Sequence, residues 1–429
     1  MKDAFTNLKK EFTDSIKRGG FRFVNVLKWV LIGAAIGGLC GLLGTAFDIT
    51  VNFALNLRAA NSWIIYLAPL GGLLITAIYT LLKVRGQDTN TIITAVHSSS
   101  KVSIKLFPSI YLGTAITHLV GGSAGREGAA LQMGGSLGSF VGRGLRLKNE
   151  DLSIAVLAGM AGYFSAIFGT PIAAAIFVIT IIRIGVSIFD ALVPCVSSAL
   201  AAYGIAKLLG VEGTHFNVSA PAFDWIMLLR VAALAVLSTV VAVIFYKTIH
   251  GAGKLFSKII PNLWLRAAIG GCCIIAFALI YGSQRYSGTG MGIITEAIEN
   301  GQAFWWDWIL KIVLTAITLG MGFKGGEVVP SFFVGATFGC FMGGILGLDP
   351  GFAAAVGLVC VFCAATNSPL ASIILAMELF GSGGLVYYAL ACALSFILSG
   401  NSSLYSAQKV EELSAFFAED ESKGEDTAE

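Results

Sequence analysis

Apolar runs of bilayer-crossing character recur in this sequence, from Trp29 to Cys40 and beyond, from Ile64 to Leu82, from Ile226 to Phe245 and from Leu385 to Leu398. About 20 apolar residues span a ~30 Å hydrocarbon core as a helix, and inside that core every backbone N–H and C=O must be satisfied within the chain. The expected fold class is therefore an all-α integral membrane protein, multi-pass, in a plasma or inner membrane. Composition agrees: 56% of residues are hydrophobic and 12% charged, against about 25% charged in ordinary soluble domains. Ile172 to Ile182 and Leu370 to Leu379 are mostly apolar but only about ten residues long. With Pro or Gly nearby, they read as discontinuous helices buried within protein.

Charge sets the expected orientation. The first thirty residues carry seven Lys and Arg against three acids, which places the N-terminus in the cytoplasm. No apolar stretch with a small-residue cleavage site precedes the first long run. Residues 1–28, with Phe5, Leu8, Phe12 and Ile16 at helical spacing, read as a cytoplasmic segment on the membrane surface. The membrane region then divides into 29–219 and 220–417 around the polar patch Glu212 to Asp224, and 418–429 is an acidic tail too short to fold. Trp305, Trp306 and Trp308 suit an interfacial belt, with packing against another helix as the alternative.

Several function classes find no support. All eight cysteines lie in apolar segments, and Cys360-x-x-Cys363 lacks a second pair, so packing is the expectation. The four histidines form no ligand pattern, and no metal or cofactor is expected. No phosphate-binding loop of the Gly-x-x-x-x-Gly-Lys-Ser/Thr type supports an ATP-driven pump. No His/Asp or Ser/Lys pair with catalytic spacing stands in an apolar run, so enzyme activity is not expected. Nucleic acid is not an expected partner either.

The two halves look alike. Gly71-Gly72 is answered by Gly270-Gly271, Ile92-Ile93-Thr94 by Ile293-Ile294-Thr295, Glu127 by Glu327, Gly135 by Gly335, and Thr170-Pro171-Ile172-Ala173 by Ser368-Pro369-Leu370-Ala371. These matches in register indicate an internal repeat, parallel or inverted, with a substrate site between the halves on the ends of broken helices. If Glu127 and Glu327 are equivalent, both helix starts converge near the midplane.

Glu127 is the residue out of place. It stands in the glycine-rich stretch from Gly121 to Gly138, and a charge at the bilayer centre costs roughly 2.5–3.5 kcal/mol on insertion scales. Glycines admit close backbone approach, and a helix start offers unsatisfied N–H donors and about half a positive charge, a cradle for an anion or a carboxylate. The plain alternative is a solvated surface loop.

Gly125-Arg126-Glu127-Gly128 resembles the Gly-Arg-Glu-Gly signature of the CLC family of chloride channels and chloride/proton antiporters. That resemblance implies a fold of two inverted repeats with broken, tilted helices, a homodimer with one pore per subunit, cytoplasmic termini, and Glu127 as the external gate. Gly325-Gly326-Glu327-Val328-Val329-Pro330 is similar to the family's Gly-x-Phe-x-Pro loop, with Gly128, Val328 and Val329 implied at the anion site. Glu327 departs from the family's aliphatic residue and is a candidate inner gate, or a structural partner of Lys324 or Arg183. Asn401-Ser402-Ser403-Leu404-Tyr405-Ser406 resembles the segment whose tyrosine coordinates the central anion, so Tyr405 is expected there; the alternative is a belt tyrosine. The family's Gly-Ser-Gly-x-Pro is missing, and Gly86-Gln87-Asp88-Thr89-Asn90 stands in its place.

Loss of that serine together with Gly-Gly-Glu-Val is similar to a bacterial fluoride/proton-exchanging branch. However, Ile92 and Ile93 stand where that branch carries phenylalanines. Thr180 or Ile181 occupies the place of the antiporters' inner glutamate, and Glu378 is the repeat-mate of Thr180, either a carboxylate at that helix end or a packing hydrogen bond. The tail is expected to lack the paired nucleotide-binding modules of many relatives. The expected function is transport of chloride or fluoride through the bilayer, with or without proton exchange. A passive chloride channel is one alternative; a cation-coupled solute transporter using Glu127, Glu327, Glu296 and Glu378 is another.

Overall fold

The structure, a computed structural model, describes residues 2–182, 188–400 and 403–408, with side chains described from residue 24 onward except at 188 and 189. Arg183, Asn401, Ser402 and the tail 418–429 lie outside the described residues. Among the described residues, all regular structure is helical.

The first half runs through α1 (Lys2–Ala60), a 3-10 turn (Ser62–Leu67), α2 (Ala68–Leu81), α3 (Thr89–His97), α4 (Leu106–Leu119), α5 (Glu127–Gly144), α6 (Asn149–Phe168), α7 (Pro171–Ile182) and α8 (Ile188–Leu208). The second half repeats this order in α9 (Trp225–Ile259), α10 (Leu263–Tyr281), α11 (Met291–Glu299), α12 (Asp307–Gly320), α13 (Val328–Leu346), α14 (Pro350–Thr366), α15 (Pro369–Phe380) and α16 (Leu385–Ser399). Matched short helices have equal lengths: 9 residues in α3 and α11, 14 in α4 and α12, and 12 in α7 and α15. At 1.5 Å per residue the last pair reaches only about 18 Å, less than a bilayer core. Residues 2–28 form no separate segment in the backbone, because α1 runs unbroken from Lys2 to Ala60. No proline precedes Pro69, and carrying Gly19 and Gly20 costs about 1 kcal/mol each, less than ending a helix.

Glycine seams hold each half together. A Cβ on Gly134 would stand 2.3 Å from the Gly159 carbonyl oxygen and one on Gly159 2.2 Å from that of Gly134, so α5 and α6 touch backbone to backbone. The same seam recurs between α13 and α14, where the corresponding approaches of Gly335 and Gly357 are 2.4 and 2.3 Å. Small residues allow this closeness, and in lipid such packing replaces the hydrophobic effect as the force between helices.

The seam also corrects the register read from sequence. Gly335 is matched by Gly134, not Gly135, which instead faces Ile92. By the same register α5 starts at Glu127 and α13 at Val328, and the residues just before them are Arg126 and Glu327. Glu127 and Glu327 are therefore not structural equivalents: Glu327 occupies the position of Arg126. Two acids one residue out of phase gave a match that the backbone does not share. Trp308 packs on Phe338, with ring centroids 5.5 Å apart, whereas Trp305 is exposed. The three tryptophans therefore divide between packing and surface.

Candidate functional site

The two glycine-rich loops meet. Gly125 N–H donates to Gly326 O and Gly326 N–H to Gly125 O, both at 2.7 Å, as a reciprocal antiparallel bridge between the halves. Side chains are excluded there: a Cβ on Gly326 would lie 2.4 Å from Gly128 N, and one on Gly128 2.7 Å from Gly326 Cα. Threonines brace the bridge symmetrically, since Thr318 Oγ1 accepts from Ser123 N at 3.0 Å and Thr117 Oγ1 from Lys324 N at 3.2 Å. This bridge brings the N-termini of α5 and α13 together.

The Glu127 carboxylate folds back onto its own helix start. Its Oε2 accepts from Arg126 N–H at 2.9 Å, its Oε1 lies 3.6 Å from Arg126 Nε, and its side chain is only 2% exposed. Missing side-chain volume at Gly125 makes the space: a Cβ there would sit 2.9 Å from Glu127 Oε2 and 3.1 Å from Val329 N. Glu127 and Val329 thus converge on one spot, with Gly128 packed on Gly326 alongside, at helix starts whose first N–H donors have no acceptor within the helix ladder. Val328 is fully buried beside it.

At Arg126 lies a basin of about 590 Å³ whose wall also includes Asp48 and Asn52. Arg126 Nη1 pairs with Asp48 Oδ1, and Asn52 Nδ2 donates to Asp48 Oδ2 at 2.8 Å, so the guanidinium beside Glu127 is held from α1. Sequence reading missed Asp48, because 78 residues separate it from Arg126. No local pattern carries that information.

A separate cavity of about 130 Å³ is lined among others by Tyr405, Glu327, Lys324, Gln132 and the run Gln87 to Asn90. Arg126, the residue before Glu127, lines the basin, and Gly325 and Glu327, on either side of the bridging Gly326, line the cavity; Glu127 itself lines neither. Tyr405 is 2% exposed and its hydroxyl has no hydrogen-bond partner. A buried hydroxyl left unpaired costs about 1–3 kcal/mol, and this one belongs to the cavity wall. The residue is held from behind, by Leu404 N–H donating to Ala365 O at 2.8 Å and Ala407 N–H to Asn90 Oδ1 at 3.0 Å. These contacts place Tyr405 in the interior rather than in a surface belt.

The stretch replacing the absent serine signature forms the start of α3. Asp88 caps it by accepting from Thr91 N at 3.0 Å, and Thr89 accepts from Gln132 Nε2 at 3.0 Å. Gln132, on α5 below Glu127, and Lys324 also escaped sequence reading as wall residues. Among the described residues Lys324 forms no ion pair with Glu327; its ammonium lies 4.7 Å from the centre of the Tyr79 ring. Glu378 is away from the cavity. It caps α7 across the repeat boundary, accepting from Ile172 N at 3.0 Å and Ala173 N at 2.8 Å, which is the packing hydrogen bond of the two alternatives. Ile92 and Ile93 are fully buried.

Comparison with known proteins follows this geometry. Residues 80–400 match the family model described as voltage gated chloride channel. The chain is 35% identical over 395 residues to a chloride/fluoride channel protein of Pseudomonas syringae pv. tomato, covering 90% of this chain and 87% of the relative. It is 26% identical over 417 residues to an H(+)/Cl(-) exchange transporter of Vibrio campbellii, covering 88% of each. The crystal structure of a CLC-type fluoride/proton antiporter superposes with a TM-score of 0.85 at 29% identity, over 90% of this chain and 98% of that one. A slow cyanobacterial Cl-/H+ antiporter shares the fold, with a TM-score of 0.78 at 18% identity over 88% of this chain and 96% of that one.

Proposed function

Because this chain belongs to the voltage gated chloride channel family, the CLC proteins, we propose that it moves a small inorganic anion across the membrane in exchange for protons, with fluoride the preferred cargo. The fold is the family's all-α arrangement of two inverted repeats, and the protein is an integral membrane protein. One observation carries the mechanism: the buried Glu127 carboxylate is folded onto the helix start where an anion would otherwise bind. Protonation removes its charge and its hold on the donors, so proton uptake and anion entry compete for the same place. On this reading Glu127 is the external gate. Gly128, Val328 and Val329 supply the backbone cradle, Tyr405 donates to the anion from below, and Glu327 on the cavity wall is the inner gate. The N- and C-termini face the cytoplasm and the protein acts as a homodimer.

Fluoride is supported by the relatives that name it and by the replaced serine signature. Fluoride is small and strongly hydrated, and a site that selects it needs close donors and a space that rejects chloride. The test is flux from reconstituted vesicles of the full chain. Fluoride efflux should exceed chloride efflux at equal gradients, and a fluoride gradient alone should move protons. Equal flux of the two anions removes the selectivity, and fluoride moving without protons returns the protein to a passive channel.

Tyr405→Phe deletes only the unpaired hydroxyl. Anion binding should weaken by on the order of 1.5–3 kcal/mol, the scale of a lost hydrogen bond to a charged partner, or roughly 10- to 150-fold. Titration calorimetry on the purified variant reads this directly. Unchanged affinity removes Tyr405 from the anion site.

A further inference from the structure

Arg58, in the last turn of α1, is 7% exposed, and neither the fold nor the proposed anion path gives it a partner. Its Nε and Nη1 have no hydrogen-bond partner, and among the described residues it forms no ion pair. The guanidinium rests on two glycines with positive φ: a Cβ on Gly121 would stand 3.4 Å from Nη1, and one on Gly288 3.3 Å from Nη2. Nearby Lys311 offers no relief, because it adds a second buried cation, its own charge held by Tyr286 O at 3.1 Å and Gly288 O at 2.8 Å. Leaving one charge of a buried pair without its partner is strongly destabilising. An unpaired buried guanidinium therefore calls for an anion.

The space beside it says which kind. Arg58 lines a groove of about 540 Å³ between the 3-10 turn and the end of α10, and no acid lines it. Gln284 Nε2 donates to Ser62 O at 2.9 Å across the polar end. The rest of the groove is apolar and outward-facing, with Trp63 60%, Tyr66 56% and Leu279 61% exposed. A halide fills little of such a volume and has no use for an aromatic and aliphatic rim. A guanidinium matches a phosphodiester in a two-pronged geometry, and aromatic side chains suit the boundary between headgroups and acyl chains.

We propose that this groove binds an anionic phospholipid, its phosphodiester at the Arg58 guanidinium and its acyl chain over Trp63, Tyr66 and Leu279. The headgroup supplies the missing negative charge without bringing a cation of its own. It also steadies Gly121, where the loop carrying Glu127 begins.

The test uses thermal unfolding of the full chain in detergent, so it is independent of transport and of the cargo. Phosphatidylglycerol should raise the melting temperature by several degrees, while phosphatidylcholine or inorganic phosphate at the same concentration leaves it unchanged. Arg58→Gln should lose the shift. Ala278→Trp, which keeps the charge but fills the groove, should lose it as well and decides the matter if the first variant does not fold. A wild type indifferent to phosphatidylglycerol, a shift retained in Ala278→Trp or Arg58→Gln, or the same shift from inorganic phosphate alone overturns the proposal.

Discussion

Glu127→Gln is expected to abolish proton movement while anions still leak through. Glutamine has the shape of the protonated side chain but cannot exchange a proton, and without a negative charge it does not compete for the helix-start donors as the carboxylate does. The helix-start anion site should then open part of the time at every pH. Removing a positioned proton-transfer group typically costs 10² or more in rate, so proton flux should fall by on the order of a hundredfold or to background. Anion efflux should persist and lose its pH dependence. Simultaneous recording of fluoride and pH outside loaded vesicles separates the two. A variant that still drives protons uphill with the anion gradient removes Glu127 from the gate.

Gly159→Ala is expected to be strongly destabilising. The new Cβ would meet Gly134 O at 2.2 Å and Gly138 Cα and N at 2.9 Å. All three are backbone atoms of α5, so no rotamer change relieves the contact and the helices must move apart. Overpacking of a tight core costs about 1–3 kcal/mol, occasionally more, and this contact belongs at the upper end. Alanine's better helix propensity returns only about 1 kcal/mol. The control is Gly204→Ala on α8, where the Cβ meets nothing within 4 Å and stability should hold or rise slightly. Thermal unfolding of the two variants in one detergent gives the comparison, and equal melting temperatures would mean that the α5–α6 seam does not govern stability. Because that seam sets the start of α5, Gly159→Ala should also disturb the position of Glu127.

How much of this was legible in the residues depends on how far apart the relevant partners lie. Apolar run lengths reported an all-helical membrane protein, since lipid leaves the backbone no other partners than its own. The short runs beginning at Pro171 and Pro369 reported broken helices, because 12 residues do not span the core. Gly125-Arg126-Glu127-Gly128 and Leu404-Tyr405-Ser406 marked the site through chemistry that is local: a helix start, a carboxylate, a neutral donor. The repeat itself was visible too, since its two copies keep similar residues at similar spacing.

Register and pairing were decided only by the tertiary structure. Glu127 and Glu327 align as letters, yet the Gly125–Gly326 bridge and the Gly134–Gly159 and Gly335–Gly357 seams shift the halves by one residue and set Glu327 in the place of Arg126. One residue along a helix is a rotation of about 100°, enough to send one carboxylate onto the cradle and the other into the cavity. The pairing of Arg126 with Asp48, the cap that Glu378 places on α7, and the burial of Arg58 without a counter-charge likewise join segments far apart in the chain. A carboxylate or a guanidinium looks the same in a sequence whether it is capped, paired or bare, because its energy is fixed by atoms that only folding brings within reach.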